Sequence, residues 1–143
     1  IHPRNKQDVG LRLALHALND TYGRDLVADG PLFEKLEIKG DEAVVHFAHT
    51  AGGLEARGKY GYVKGFALAG ADQKFRWAQA RIQGDKVIVT HPDIDRPVAV
   101  RYGWADNPQD INLYNEDRLP ALPFRTDDWP GTTYDVRRYS LKD

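Results

Sequence analysis

The chain has 143 residues, enough for one domain with a sizeable core, and its 20 basic and 21 acidic side chains leave a net charge of −1. That balance gives no electrostatic footprint for nucleic acid or an anionic membrane, and no apolar run approaches the roughly 18 residues of a membrane span. Cysteine is absent, so neither a disulfide framework nor thiolate chemistry is available.

The first six residues, Ile1 to Lys6, lead into an amphipathic helix. Leu11, Leu15, Leu18 and Tyr22 follow at steps of four, three and four, which places them on one helical face, and Val9 and Ala14 widen that stripe. Gly23 is a natural stop, because glycine takes a positive φ without steric cost. The spacing therefore predicts a helix from about Asn5 to Tyr22, with His2 on the loop before it. Pro3 fixes its own φ and biases His2 toward extended backbone. Methionine is also absent and the chain starts Ile-His-Pro, which reads as a piece of a longer polypeptide. A lone helix ahead of a β-rich chain needs a surface for its apolar face, so it is expected to be the last helix of a preceding domain.

Arg24 to Pro31 is a connector rich in turn formers, after which the apolar period changes from 3.6 to 2. Phe33, Leu36 and Ile38 mark a first strand with an irregularity near Lys35. Lys39-Gly40-Asp41-Glu42 predicts a tight hairpin into a strand from Ala43 to Phe47. His49 to Tyr60 reads as a long glycine-bearing loop. Tyr62 to Leu68 and Phe75 to Ile82 read as strands joined by Ala69-Gly70-Ala71-Asp72. Gln83-Gly84-Asp85-Lys86 is a second hairpin turn leading into Val87 to Val89, and Val98 to Tyr102 is a further strand. Some seven short strands near ten-residue spacing predict a mostly β fold, an antiparallel β-sandwich.

Past Trp104 the regularity fades into a Pro- and Asn-rich segment. Its Leu113, Tyr114, Leu119, Phe124 and Trp129 predict order by packing, since disordered runs lack aromatics. We expect it to wrap over a neighbouring domain. Thr132 to Asp143 is a charged run expected to fray.

Among single residues, His16 falls on the polar flank of the helix, His46 points away from the core side of its strand, and His49 and His91 lie in loops. His46 and His49 with Asp41 or Glu55 lack the spacing of a recognised metal site, and Gly52-Gly53 has no phosphate-loop context, so neither metal nor cofactor is expected. Arg101 between Val100 and Tyr102 is expected to be half-buried and paired with Asp106 or Asp127. Tyr60, Tyr62, Trp77, Trp104 and Trp129 are available to a sugar, as in a carbohydrate-binding module. Phe75 and Trp77 share one strand face, expected to be the buried one, whereas Tyr60 and Tyr62 flank Gly61 at a loop end and suit exposure.

Two stretches carry a family resemblance. Ile1-His2-Pro3-Arg4-Asn5-Lys6, followed by Val9 to Leu15, resembles the terminal catalytic block of the sialate O-acetylesterase family of SGNH hydrolases. Val98 to Pro108, then Asn112-Leu113-Tyr114-Asn115, Leu119-Pro120-Ala121 and Pro123 to Asp127, resemble the C-terminal signature of that family. The resemblance implies a Ser-His-Asp ester hydrolase in which His2 is the catalytic histidine. It also implies that the helix closes an α/β/α domain, with serine, aspartate and oxyanion groups contributed by an upstream fragment. Residues 1–24 would then finish the hydrolase domain, 30–128 form the β-sandwich with its wrapping segment, and 129–143 form a tail. The implied substrate is an acetylated sugar, on sialic acid or a plant polysaccharide. Such enzymes are usually exported, which implies a periplasmic or extracellular location. A carbohydrate-binding or purely structural sandwich is the alternative.

Overall fold

The computed structural model describes residues 4–131. Helix α1 spans Lys6–His16 and runs into a π-helical turn over Ala17–Thr21. Asn5 caps it, because its side-chain oxygen accepts the Asp8 N–H at 3.1 Å and satisfies one of the donors a helix start leaves orphaned. Gly23 ends it at φ +63, and the Arg24 N–H folds back to the Leu18 carbonyl at 2.9 Å. Helix and stop thus sit where the leucine spacing puts them.

Ten strands follow among the described residues: β1 Leu32–Lys39, β2 Glu42–Ala48, β3 Leu54–Ala56, β4 Phe66–Ala69, β5 Arg76–Trp77, β6 Gln79–Gln83, β7 Lys86–Thr90, β8 Ala99–Tyr102, β9 Leu113–Asn115 and β10 Phe124–Arg125. They form two four-stranded sheets, β1-β2-β7-β6 and β10-β8-β4-β5, and a small β3-β9 pair, all antiparallel. The register of β1 on β2 shifts between Phe33 and Lys35, at the expected irregularity. Gly40 and Gly84 sit in the two hairpin turns. The mostly β, antiparallel class is as expected from the strand spacing.

Both large sheets feed one core. The first contributes Ala43, Val45, Phe47, Ala80, Val87 and Val89, and the second Phe66, Leu68, Val100, Tyr102 and Phe124. These are alternate residues on each strand, so the period-2 pattern is what selects them. Phe124 joins the two sheets. Its ring stacks on Phe33 at 4.7 Å, meets Phe47 edge-on at 5.8 Å, and contacts Tyr102 and Phe66 at 6.1 and 6.2 Å.

Three expectations change. The stretch Phe75 to Ile82 is not one strand: β5 pairs with β4 in the second sheet, and two residues later β6 pairs with β7 in the first. Part of the loop from His49 to Tyr60 is strand β3, held by β9 some 60 residues further on. The Pro- and Asn-rich segment packs into this same core, with Leu113, Leu119, Ala121 and Phe124 buried. The charged run from Thr132 lies outside the described residues.

Candidate functional site

His2, the histidine singled out by the sequence, lies outside the described residues. The element directly behind it is fixed by the Asn5 cap. Much of its apolar face is exposed among the described residues: Leu11 is 59% and Tyr22 74% exposed. The helix approaches the β-fold through Asp29, whose carboxylate lies 3.6 Å from His16 Nε2 and 4.0 Å from His49 Nδ1. His16 is at the surface, as its helical position indicates. His46 sits on the face opposite Val45 and Phe47, with Nε2 3.2 Å from Glu37. The Lys35 ammonium at 2.9 Å, and then His46, hold the Glu37 carboxyl down to about 2. His91 instead serves its own turn, where Nδ1 accepts the Asp93 N–H at 3.1 Å. Among the described residues no three histidine or acidic side chains converge as metal ligands would.

The outer face of the second sheet carries a layered cation–aromatic surface. Register places Arg125, Arg101, Ala67 and Trp77 in one cross-strand row. Arg101 forks onto Asp127 through Nε at 2.8 Å and Nη2 at 2.6 Å, and its guanidinium lies 3.9 Å over Phe75. Trp129 packs on Phe75 at 5.6 Å, while Arg125 lies 5.5 Å over Trp104 and donates to the Trp129 carbonyl at 3.1 Å. The pairing of Arg101 therefore goes to Asp127 rather than Asp106. The guanidinium holds the carboxyl of Asp127, whose side chain is 1% exposed, below the ordinary aspartate range.

Phe75 and Trp77 do share a face, but it is the outer one. Trp77 is 69% exposed, which corrects the expectation of burial. The small residues Ala78 and Ala80, which follow the aromatics, are the ones turned to the core. Tyr62 and Trp104 are exposed as well.

Two further groups escaped the sequence reading. Tyr60 donates to Asp110 at 2.8 Å, Lys64 bonds the same carboxylate oxygen at 3.2 Å, and the Lys64 ammonium lies 4.0 Å over the Tyr60 ring. The Tyr60 hydroxyl and then Lys64 push the Asp110 carboxyl below its usual range, and that carboxylate raises both partners. The second group is a pair of buried asparagines. Asn112 accepts the Lys64 N–H at 2.8 Å and donates to the Tyr62 carbonyl at 2.9 Å. Asn115 accepts the Leu119 N–H at 2.9 Å and donates to the carbonyls of Asp29 and His49 at 3.1 and 3.2 Å. Their signal in the sequence is two asparagines three apart around Leu113-Tyr114, where a turn needs no apolar neighbours. Asn115 staples the Asp29 connector, the His49 loop and the turn to Leu119, and Asn112 ties down the stretch from Tyr62 to Lys64.

No family model matches the chain. The chain is 29% identical to human sialate O-acetylesterase over 96% of its own length, and 28% identical to the mouse protein over 87%. It spans only 28% and 24% of those proteins. The crystal structure of a carbohydrate acetylesterase from Xanthomonas citri superposes with a TM-score of 0.85 at 52% identity, covering 90% of this chain and 29% of that one. In sequence and in fold the chain is similar to one part of the sialate O-acetylesterases and of this carbohydrate acetylesterase.

Proposed function

We propose that this chain is the part of a carbohydrate O-acetylesterase that supplies the catalytic histidine, His2, and a β-domain bracing it. The observation that carries this is the 52% identity and TM-score of 0.85 with the Xanthomonas citri enzyme, together with the Ile1-His2-Pro3-Arg4-Asn5-Lys6 block. An imidazole that titrates near neutrality can take the proton of a serine hydroxyl as it attacks the acetyl carbonyl. It can then return that proton to the departing sugar hydroxyl, and an acidic partner fixes its tautomer. The Asn5 cap and the Gly23 stop make the helix behind it a defined mount.

The family resemblance supports placing the nucleophile, its acidic partner and the oxyanion donors in an upstream segment; the sequence here has a single serine, Ser140. The exposed leucines of α1 suit contact with that segment. Acyl transfer of this type proceeds through an acetyl-enzyme, and water releases acetate in a second step with His2 again as base. The substrate is an acetyl ester on a sugar, sialic acid or a plant-wall polysaccharide such as xylan or xyloglucan. Such polymers lie outside the cell, which supports an exported enzyme.

A chimera tests this. The chain replaces its matching 29% of the Xanthomonas citri acetylesterase, and acetate release from an acetylated oligosaccharide is measured. Retained hydrolysis within about tenfold of the parent is expected; a folded, inactive chimera would contradict the proposal.

A further inference from the structure

We infer that the groove beside Trp77 is a binding subsite for a neutral pyranose chain with equatorial substituents, separate from any ester-cleaving centre. Trp77 stands on edge strand β5 opposite Ala67, so nothing on the neighbouring strand shields its ring. An isolated exposed apolar side chain is ordinary and needs no explanation. This one, however, overlooks a groove of about 400 Å3 lined by Lys64, Gly65, Trp77, Asn107, Gln109 and Ile111. That volume falls within the roughly 300–1,000 Å3 of small-molecule sites.

The floor and one wall are rigid. Gly65 adopts φ +94, and a Cβ there would come within 2.6 Å of Ile111 Cγ2, so backbone and Ile111 are packed as closely as glycine allows. The wall bearing Lys64 is held by Asp110 and Tyr60 on one side and by Asn112 on the other. The preorganisation lowers what binding costs in lost freedom.

The chemistry of the lining selects the ligand. An indole face suits the flat C–H face of a pyranose with equatorial substituents. The amides of Asn107 and Gln109 each offer donor and acceptor to ring hydroxyls. The cation at the groove is already neutralised, since Lys64 bonds Asp110 at 3.2 Å. The site therefore fits an uncharged gluco- or xylo-configured chain rather than an acidic sugar. Placed on an acetylesterase, it would hold the polymer while the esterase centre works on its acetyl groups. The inference does not depend on the nucleophile or on His2.

Nuclear magnetic resonance of this chain gives a direct test. The sequence has three tryptophans, whose indole N–H signals are assigned by Trp→Phe substitution at each. Titration with cellotetraose is expected to move the Trp77 signal saturably and to leave those of Trp104 and Trp129 in place. Trp77→Ala is expected to weaken binding at least about tenfold, with Trp77→Phe intermediate and both melting like the parent. No saturable shift by about 10 mM cellotetraose, a shift centred on Trp104, unchanged affinity in Trp77→Ala, or stronger binding of methyl α-sialoside would each overturn the inference. Any of these results leaves the esterase proposal standing, because hydrolysis is not read.

Discussion

Replacing Phe124 with alanine tests whether the irregular C-terminal segment is part of the core rather than an ornament on it. Phe124 is 8% exposed and touches four aromatic rings from both sheets, at 4.7 to 6.2 Å. Truncating a buried phenylalanine costs about 3–5 kcal/mol. Each favourable ring pair adds about 0.5–1.5 kcal/mol beyond the area buried, which places this site in the upper half of that range, near 4 kcal/mol. Against a total stability of about 5–15 kcal/mol, that is a large fraction. At about 3 °C per kcal/mol for a chain of this size, the melting temperature should fall by roughly 12 °C. Urea unfolding followed by tryptophan fluorescence measures the loss, and Phe124→Leu, which keeps apolar contact with most neighbours, should lose clearly less. A loss under about 1 kcal/mol in Phe124→Ala would refute the claim that this ring joins the sheets.

Two other outcomes follow from buried polar groups. Asn115→Ala strands the Leu119 N–H and two carbonyls, so it should cost about 3 kcal/mol in the same urea assay, and Asn115→Asp should do no better because its carboxylate would face the carbonyls of Asp29 and His49. Burial pushes the Tyr102 hydroxyl up to about 12. A raised folded-state value means the stabilisation is whole below pH 10 and is lost as pH rises toward 12, to a limit of about 2–3 kcal/mol. Melting in alkaline buffer should show this loss, and Tyr102→Phe should lack it while being less stable at neutral pH for want of the 3.0 Å bond from the Leu113 N–H.

Much of this fold is legible in the chain because its signals are local. Four apolar side chains at helical spacing, an asparagine before them and a glycine after them define α1. The register irregularity at Lys35 and the two glycine hairpins are equally short-range. Trp77 and the break after it are different. The even-numbered residues Ala78, Ala80 and Ile82 face the core at the break and after it, since β5 and β6 border the same interior from different sheets. Alternation alone cannot tell which sheet a strand joins, nor that small alanines face inward while larger aromatics face out. Strand β3 has three residues and a partner far along the chain, too little for any periodic signal. The Tyr60, Lys64 and Asp110 cluster spans 50 residues and needs the fold to assemble it. That Arg101 needs a carboxylate is legible, because an arginine between core-facing residues must find one, but the choice of Asp127 over Asp106 is made by the fold.

The central claim concerns His2, and its most direct test is the His2→Ala substitution in the chimera with the Xanthomonas citri acetylesterase, reading acetate release and thermal melting side by side. Hydrolysis is expected to fall by more than about a thousandfold with melting unchanged. Activity within about tenfold of the unsubstituted chimera would contradict the assignment of His2 as the catalytic base.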